Sequence, residues 1–169
     1  MAKIKDPMNP DECPITVAFE GVELMFRNFS GKESQFNRAG ARNFNIKLTE
    51  EQAEELMACG WNVKKREPRD DAPEGAENEY HLKVNVKLDG QRPPKVVLLS
   101  SRGKNPLVGE EVEMLDWAEI TKCDVIIRAY HYDIRGEQGI SAYLNSMYVE
   151  IFEDPLELKY ANWGEDPDE

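Results

Sequence analysis

Many patterns that mark specialised protein classes are missing from this sequence. Its 169 residues include three widely spaced cysteines, Cys13, Cys59 and Cys123, and no CxxC pair. This favours reduced thiols in a cytosol over a disulfide framework or a cysteine-zinc site. No apolar run approaches the roughly 18 residues that a transmembrane helix needs. The first residues also lack the apolar segment of a secretory signal. We therefore expect neither a membrane protein nor a secreted one.

Recognisable catalytic motifs are missing as well. The sequence has no phosphate loop, no GxGxxG after a strand and no HExxH. His81 and His131 each fall in a predicted strand, with no cysteine or acid at metal-ligand spacing. Asp116 and Glu119, three residues apart, are more typical of a solvated helix face than of a metal site. We expect no metal, no cofactor and no enzymatic activity.

The charge is strongly negative but unevenly distributed. The formal net charge is -12, which at first argues against a nucleic-acid partner. Residues 67–79 carry -5 and residues 149–169 carry -7, so the remaining residues are neutral overall. Exposed charges are screened over about 8 Å at physiological ionic strength. A basic surface elsewhere could therefore attract phosphate, and net charge alone does not exclude DNA.

Hydrophobic alternation predicts a mostly β chain. Strands are expected within 15–29, 44–48, 80–88 and 94–99, and in a long hairpin over 124–152. A capping box at Thr49–Gln52 predicts a short helix, and residues 108–118 predict a second. Asp89-Gly90 predicts a hairpin between the strands on either side of it. Without a βαβ rhythm, we predict an all-β, antiparallel OB-fold-like barrel with inserted loops, although other β-barrels or a sandwich fit the same pattern.

Three segments follow from this organisation. Residues 1–14 form an N-terminal extension, residues 15–155 form the folded domain with an acidic loop at 67–79, and residues 156–169 form an acidic C-terminal tail. The simplest interpretation of the tail is a solvated end. The alternative is a partner-binding tail anchored by Trp163, with acidic residues Glu165, Asp166, Asp168 and Glu169.

The most distinctive stretch is 26–44, FRNFSGKESQFNRAGARNF. Four cations alternate here with four phenylalanines, and Glu33 is its only acid. Single-strand binders combine cations that follow phosphates with aromatic faces that stack on bases. We expect Phe26 and Phe44 to be core residues of the flanking strands, and Phe36, in mid-loop, to stack on bases.

Other strands supply further candidates. Cations lie on the polar face of the strand at 80–88 and in two short basic runs, and tyrosines share a strand face in the last hairpin. For these tyrosines a core position is the alternative. The full set of predicted single-strand contacts is Arg27, Phe29, Lys32, Phe36, Asn37, Arg38, Arg42, Lys64, Lys83, Lys87, Arg102, Lys104, Arg128, Tyr130, Tyr132 and Tyr143.

The segment 26–44 resembles the motif that opens a family of single-stranded DNA-binding proteins from tailed bacteriophages. LTEEQAEELMACGWNVK, YHLKVNVKL with RPPKVVL, MLDWAEI and AYLNSMYVEIFEDPLELKYA match as well, so the resemblance covers about residues 15–161. It implies an OB-fold, sequence-independent binding of single-stranded DNA, and a role in phage replication, recombination or repair in the bacterial cytoplasm. It implies no enzymatic activity.

The resemblance also bears on partners. The tail is similar to those by which bacterial and phage single-strand binders recruit replication proteins, but its aromatic residue is Trp163 rather than the last residue. The sequence is also compatible with a homodimer or a cooperative assembly on DNA. The competing hypothesis is an acidic module that mimics DNA and binds a basic host protein, although it gives the basic-aromatic segment no role.

Overall fold

The computed structural model describes residues 15–35, 37–153 and 156. The predicted N-terminal extension and, apart from Leu156, the acidic tail lie outside the described residues. The elements are β1 (Thr16–Phe19), β2 (Leu24–Asn28), β3 (Arg42–Leu48), α1 (Glu50–Ala58), β4 (Val63–Arg66), β5 (Glu79–Val86), β6 (Lys95–Ser100), β7 (Gly103–Leu107), a 3-10 helix (Gly109–Asp116), β8 (Ile120–Ile134) and β9 (Glu137–Ile151).

All nine strands belong to one curved sheet. Its main path runs β1-β8-β9-β5-β3-β2, with β4 beside β5 and β6 between β7 and β9. The two ends of the path, β1 and β2, are consecutive in the chain. The amide of Val22 between them donates to Cys123 O on β8 (2.9 Å), and Glu23 O accepts from Lys47 N on β3 (3.0 Å). The path therefore returns on itself as a partly open barrel, and the mostly β OB-like class is confirmed.

Strand pairing differs from the sequence prediction in two ways. β9 pairs in parallel with β5 and with β6, so the sheet is mixed rather than purely antiparallel. The hairpin predicted at Asp89-Gly90 is wrong, because β6 pairs with β7 and β9. The reason is that β3 occupies one edge of β5, and β4 and β9 occupy the other. No edge of β5 is left for β6.

Local sequence signals produce several other elements as predicted, although β7 (Gly103–Leu107) was not predicted. In α1 the Thr49 hydroxyl accepts from Gln52 N (3.1 Å), and the Gln52 side chain accepts from Thr49 N (3.0 Å), which completes the capping box. The last hairpin also forms, and its turn is tighter than the five residues, 135–139, that the sequence predicts. Arg135 and Gly136 make that turn with φ of 53° and 87°, which matches the twist of the paired strands.

Two cysteines are described, and they differ. Cys123 is a free thiol in the core, and burial, with a smaller contribution from Asp124, raises its pKa to about 12. Cys59 takes part in a disulfide, which corrects the expectation that all thiols are reduced. In the described part of the chain, no helix is long and apolar enough to cross a membrane.

Candidate nucleic-acid interface

Residues 29–41, here called the finger, join β2 to β3 as a narrow loop. At its base Gly40 N donates to Gly31 O (2.8 Å), and a Cβ on Gly31 would lie 3.1 Å from Gly40 Cα. Near its tip Ser34 and Asn37 exchange backbone hydrogen bonds of 2.8 and 3.2 Å. The two sides of the loop are thus held together. Phe36, predicted to stack on bases, lies outside the described residues.

Side chains from the finger and the 3-10 helix fix this loop in place. Asp116 accepts from Phe29 N (2.6 Å), Ser30 N (3.1 Å) and the Ser30 hydroxyl (2.7 Å). It is therefore an anchor of the finger, and the expectation of a solvated helix face was wrong. No cluster of metal-binding side chains occurs in the described residues.

Asn37 belongs to the same internal network. Its amide nitrogen donates to three finger carbonyls, Lys32 O (2.8 Å), Ala41 O (2.9 Å) and Arg38 O (3.1 Å), and its oxygen accepts from Asn43 (2.8 Å). These bonds occupy the donors of the Asn37 side chain. Its predicted DNA contact is therefore corrected to a structural role.

Three further predicted contacts in segment 26–44 are also structural. Phe29 is fully buried and stacks on Phe44 with ring centroids 5.1 Å apart. Arg27 donates to the carbonyls of Leu115 (2.9 Å) and Ala118 (2.7 Å) at the end of the 3-10 helix. The role of Arg27 follows because carbonyls at a helix end lack internal partners and take donors from nearby side chains.

Arg42 is the third of these further predicted DNA contacts that are structural, because its side chain points inward with those of Phe44 and Ile46. Its guanidinium donates to Phe29 O (2.5 Å) and pairs with Glu113 (3.3 Å), and the side chain is 20% exposed. Lys32 and Arg38 remain exposed. The Lys32 ammonium lies 5.5 Å from the ring centroid of Trp117, so two of the finger's predicted cations remain accessible.

Phe26 was predicted to be a core residue, but its side chain is exposed. Phe44 is buried as expected, but Phe26 is 60% exposed. The pairing of β2 with β3 shifts register between Met25 and Asn28, and Phe26 has a φ of +49°. This bulge reverses the in-out alternation and turns the ring outward. An aromatic side chain that the alternation places in the core is therefore exposed to solvent.

Most of the other predicted DNA contacts lie on one side of the sheet, which we call the outer face. Strands β3 and β5 bury Phe44, Leu82 and Val84 on one face and place the alternate side chains on the other, where Asn43 and Asn45 are nevertheless buried. Strand register places Asn43, Asn85, Tyr143 and Arg128 in one row. The outer face comprises Phe26, Asn43, Asn45, Lys47, Lys64, His81, Lys83, Asn85, Arg128, Tyr130, Tyr132 and Tyr143.

A groove of about 430 Å³ opens at one end of this face, and we call it the tyrosine groove. It is lined by Lys87, Gly90, Gln91, Arg92, Arg128, Tyr130, Tyr143 and Leu144. Tyr130 is 57% exposed and meets Tyr143 edge to face, with centroids 5.5 Å apart. Among the described residues, the groove thus joins three cations to two tyrosines without a carboxylate in its lining. Sequence reasoning missed Arg92, because a single arginine before two prolines carries no signal by itself.

Tyr132 is placed differently from its neighbour Tyr130. Its hydroxyl exchanges hydrogen bonds with the Asn62 side chain (3.0 and 3.2 Å). Its ring passes over Gly139, where a Cβ would come within 2.7 Å of the ring carbon that bears the hydroxyl. Tyr132 therefore braces the β8–β9 hairpin against the chain before β4. Gly139 is required for that close packing.

The basic pair Arg102 and Lys104 lies apart from the groove. Lys104 is opposite Leu99 on β6, which is opposite Glu150 on β9. Since a strand rises about 3.3 Å per residue, Glu150 lies about 20 Å along β9 from Tyr143. The structure does not bring this pair to the tyrosine groove. Trp163, Glu165, Asp166, Asp168 and Glu169 of the predicted tail site lie outside the described residues.

Acidic side chains collect around a different cavity, of about 850 Å³. Its lining in the described part of the chain includes Glu20, Glu23, Glu50, Glu77 and Glu79, with Lys47 as the only cation there. Such a lining repels phosphate, whereas the tyrosine groove attracts it.

His81 lies between these two environments on the outer face. Its Nδ1 is 2.8 Å from Asn45 Oδ1. Burial lowers its pKa below the ordinary value, the cations Arg66 and Lys64 lower it further, and Glu79 opposes them. These surroundings therefore favour the neutral form of the His81 ring.

Comparison with protein-family models gives a match over most of the chain. A family model described as "Putative phage ssDNA-binding domain" matches residues 12–168. The chain belongs to this phage ssDNA-binding family. The resemblance seen in the sequence is thereby confirmed, and the family is one of DNA-binding proteins and not of enzymes.

Solved structures show the same fold. The single-stranded DNA-binding protein from bacteriophage Enc34 in complex with ssDNA aligns with a TM-score of 0.54 at 8% identity, over 83% of this chain and 89% of that one. A further structure of the single-stranded DNA-binding protein from bacteriophage Enc34 aligns with a TM-score of 0.50 at 12% identity, over 83% of each chain. A search of curated proteins finds no match.

Proposed function

We propose that this protein binds single-stranded DNA without regard to sequence, through the outer face and the tyrosine groove. The observation that carries the proposal is the groove, where Arg128, Lys87 and Arg92 surround Tyr130 and Tyr143. Such cations hold phosphates while aromatic faces stack on bases. A protein of the same fold, from bacteriophage Enc34, has been solved in complex with ssDNA.

The middle of the outer face supports indifference to sequence. Asn43 donates to the Asn37 side chain (2.8 Å) and Ala41 O (3.3 Å), and Asn85 donates to Ala142 O (3.2 Å). These bonds engage both amides within the protein and reduce what they offer to base edges. Recognition then rests on stacking and phosphate contacts, which every nucleotide provides.

Among the described residues, the ion pairs are Arg42–Glu113 and Lys47–Glu23. Lys64, Lys83, Lys87, Arg92 and Arg128 thus keep their charges unpaired within that part of the chain. If about four of them neutralise phosphates, the logarithm of affinity falls against the logarithm of salt concentration with a slope of about -3.

The biological role that we propose is protection of single strands during phage DNA replication or recombination in the host cytoplasm. Family membership supports this role. Recruitment of partners by the acidic tail, with Trp163 as its apolar residue, belongs to the same proposal. It is supported by the composition of the last residues, WGEDPDE.

The direct test is fluorescence anisotropy with a labelled thymidine oligomer of about 20 nucleotides, longer than the roughly 4–16 nucleotides that one OB-fold covers. Salt-sensitive binding that matched duplex does not displace supports the proposal. Absence of binding at micromolar protein, together with capture of a basic protein, would favour the DNA-mimic alternative.

A matched pair of variants locates the site in the same assay. Tyr130→Ala removes the more exposed tyrosine of the groove and should weaken binding by about 1–3 kcal/mol. Phe152→Ala removes an aromatic ring of similar exposure, 50%, that follows the far end of β9, and should leave affinity unchanged. Equal losses in the two variants would place the DNA elsewhere.

A further inference from the structure

We propose that Phe26 and His81 form a second base-stacking platform, at the other end of the outer face from the tyrosine groove. This inference rests on the proposed single-strand function and adds a second contact point for the same strand. It assigns a role to an aromatic residue whose position in the sequence pattern indicates a core side chain.

The geometry presents one aromatic ring to solvent and supports it from the side. Phe26 is 60% exposed and contacts His81 edge to face, with centroids 5.7 Å apart and planes at 66°. The imidazole is held in turn by its 2.8 Å contact with Asn45 Oδ1. A base can therefore stack on the open face of Phe26 without any rearrangement of the ring.

The backbone at Phe26 is an independent indication. Its φ of +49° lies in the left-handed region, where a bulky residue is a rare outlier and glycine is readily accepted. Stability alone favours glycine here, or a backbone that buries the ring. Strained positions that display a side chain to solvent are concentrated at ligand sites. We therefore attribute the strain to presentation of the ring.

Charge around the platform distinguishes it from the tyrosine groove. Lys64 is opposite His81 and Lys83 is two residues further along β5. Two acids offset neighbouring cations, because Glu79 is opposite Arg66 and Glu23 pairs with Lys47 at 3.8 Å. The platform thus contributes mainly stacking, whereas the groove contributes both stacking and phosphate contacts.

The separation of the two sites sets a length requirement. His81 and Asn85 are four residues apart on β5, which is about 13 Å, and Tyr143 lies one strand further, about 5 Å away. A very short oligomer that fills the groove does not reach Phe26. Loss of Phe26 should consequently affect long oligomers and spare short ones.

The test uses Phe26→Gly in the full chain, since glycine tolerates the backbone and removes only the ring. We expect an unchanged or higher melting temperature, about 5- to 150-fold weaker binding of an oligomer of about 20 thymidines, and an unchanged salt slope. Binding of a thymidine trinucleotide, followed by NMR titration, should not change. Phe26→Trp should retain binding of the long oligomer.

Two comparisons separate the failure of this inference from failure of the proposed function. If wild type binds and Tyr130→Ala weakens binding while Phe26→Gly does not, the platform is refuted and the proposed function stands. If wild type does not bind, both are refuted. Photocrosslinking of a 5-iodouracil oligomer should yield a crosslinked peptide containing Phe26, and a crosslink map confined to the groove contradicts the platform.

Discussion

The finger with its flanking residues and the outer face are both rich in cations and aromatics, yet they use them differently. In segment 26–44, Arg27 donates to carbonyls at the end of the 3-10 helix, and Arg42 bonds a backbone carbonyl and a carboxylate. Phe29 is buried in the core. On the outer face, Lys83, Arg128 and Tyr130 come from strands far apart in sequence and remain exposed or half-buried. The denser motif in the sequence is therefore the less accessible of the two in the structure.

The difference follows from which backbone groups need partners. A loop and a short 3-10 helix leave carbonyls without internal hydrogen bonds, and an arginine with five donors satisfies several of them. Paired strands satisfy their own backbone groups, so the side chains between them are free to bind a ligand. Cations beside irregular backbone are thus more often structural than their composition suggests.

The largest expected effect tests the buried side of this comparison. Phe29→Ala removes a ring that is fully buried against Phe44, and should lower the free energy of unfolding by about 3–5 kcal/mol. Chemical denaturation measures this loss. A variant that kept full stability but lost DNA affinity would show instead that Phe29 faces the ligand.

The next effect tests the accessible side. Lys87→Glu combined with Arg92→Glu replaces two attractions in the tyrosine groove by two repulsions. At about 1 kcal/mol for each attraction lost and each repulsion gained, this weakens binding by about 2–4 kcal/mol at low salt. Anisotropy measures the affinity, and the melting temperature should not change.

The matched control for that pair is Arg102→Glu combined with Lys104→Glu, which makes the same change of charge on the β6–β7 hairpin. Because this hairpin lies about 20 Å from the groove, we expect a loss of less than half the size, in free energy, of that in the groove variant. Equal losses would mean that total charge, and not the groove, determines affinity.

A smaller effect separates two arginines of similar sequence context. Arg42→Ala loses its bonds to Phe29 O and Glu113 and should cost about 1–3 kcal/mol of stability. That corresponds to about 2–4 °C in melting temperature for each kcal/mol. Arg38→Ala, at an exposed position, should change stability by less than about 0.5 kcal/mol. A scan of both variants by calorimetry decides whether the finger depends on Arg42.

The elements that sequence predicts well are those with local causes. The Thr49–Gln52 capping box requires residues three apart, and the alternation over Tyr80–Leu88 requires only one buried face. The long final hairpin depends on a short turn. Each of these signals lies within a few residues of the structure that it produces, and each was confirmed.

The parts that sequence missed have distant causes. Arg27 meets the carbonyls of Leu115 and Ala118, 88 and 91 residues away, and no spacing rule indicates that contact. Parallel pairing of β6 with β9 depends on which edges of β5 are already occupied. Phe26 faces outward because one bulge reverses the alternation, and a bulge of this kind leaves no composition signal. The groove itself joins three segments of the chain, 87–92, 128–130 and 143–144.

The smallest expected effect is the change in DNA affinity when His81 is protonated. It tests whether phosphates bind at the Phe26 end of the outer face as well as in the tyrosine groove. In the free protein, burial and the cations Arg66 and Lys64 lower the pKa of His81 below 6.5, against the opposing charge of Glu79. Lys47, opposite His81 on β3, is a further cation near the ring. A phosphate bound beside Lys64 adds a negative charge and should raise that pKa, because it favours the charged imidazole.

The sign of the pH dependence follows from linkage. If the complex binds a proton more tightly than the free protein, affinity rises as pH falls through the range between the two pKa values. NMR titration of the His81 ring, assigned with a His131→Gln variant, measures the pKa with and without a thymidine oligomer. His81→Gln should remove that rise in affinity and keep most binding at pH 7.5. A pKa that stays the same on DNA binding would place the phosphates away from Lys64 and restrict the ionic contacts to the tyrosine groove.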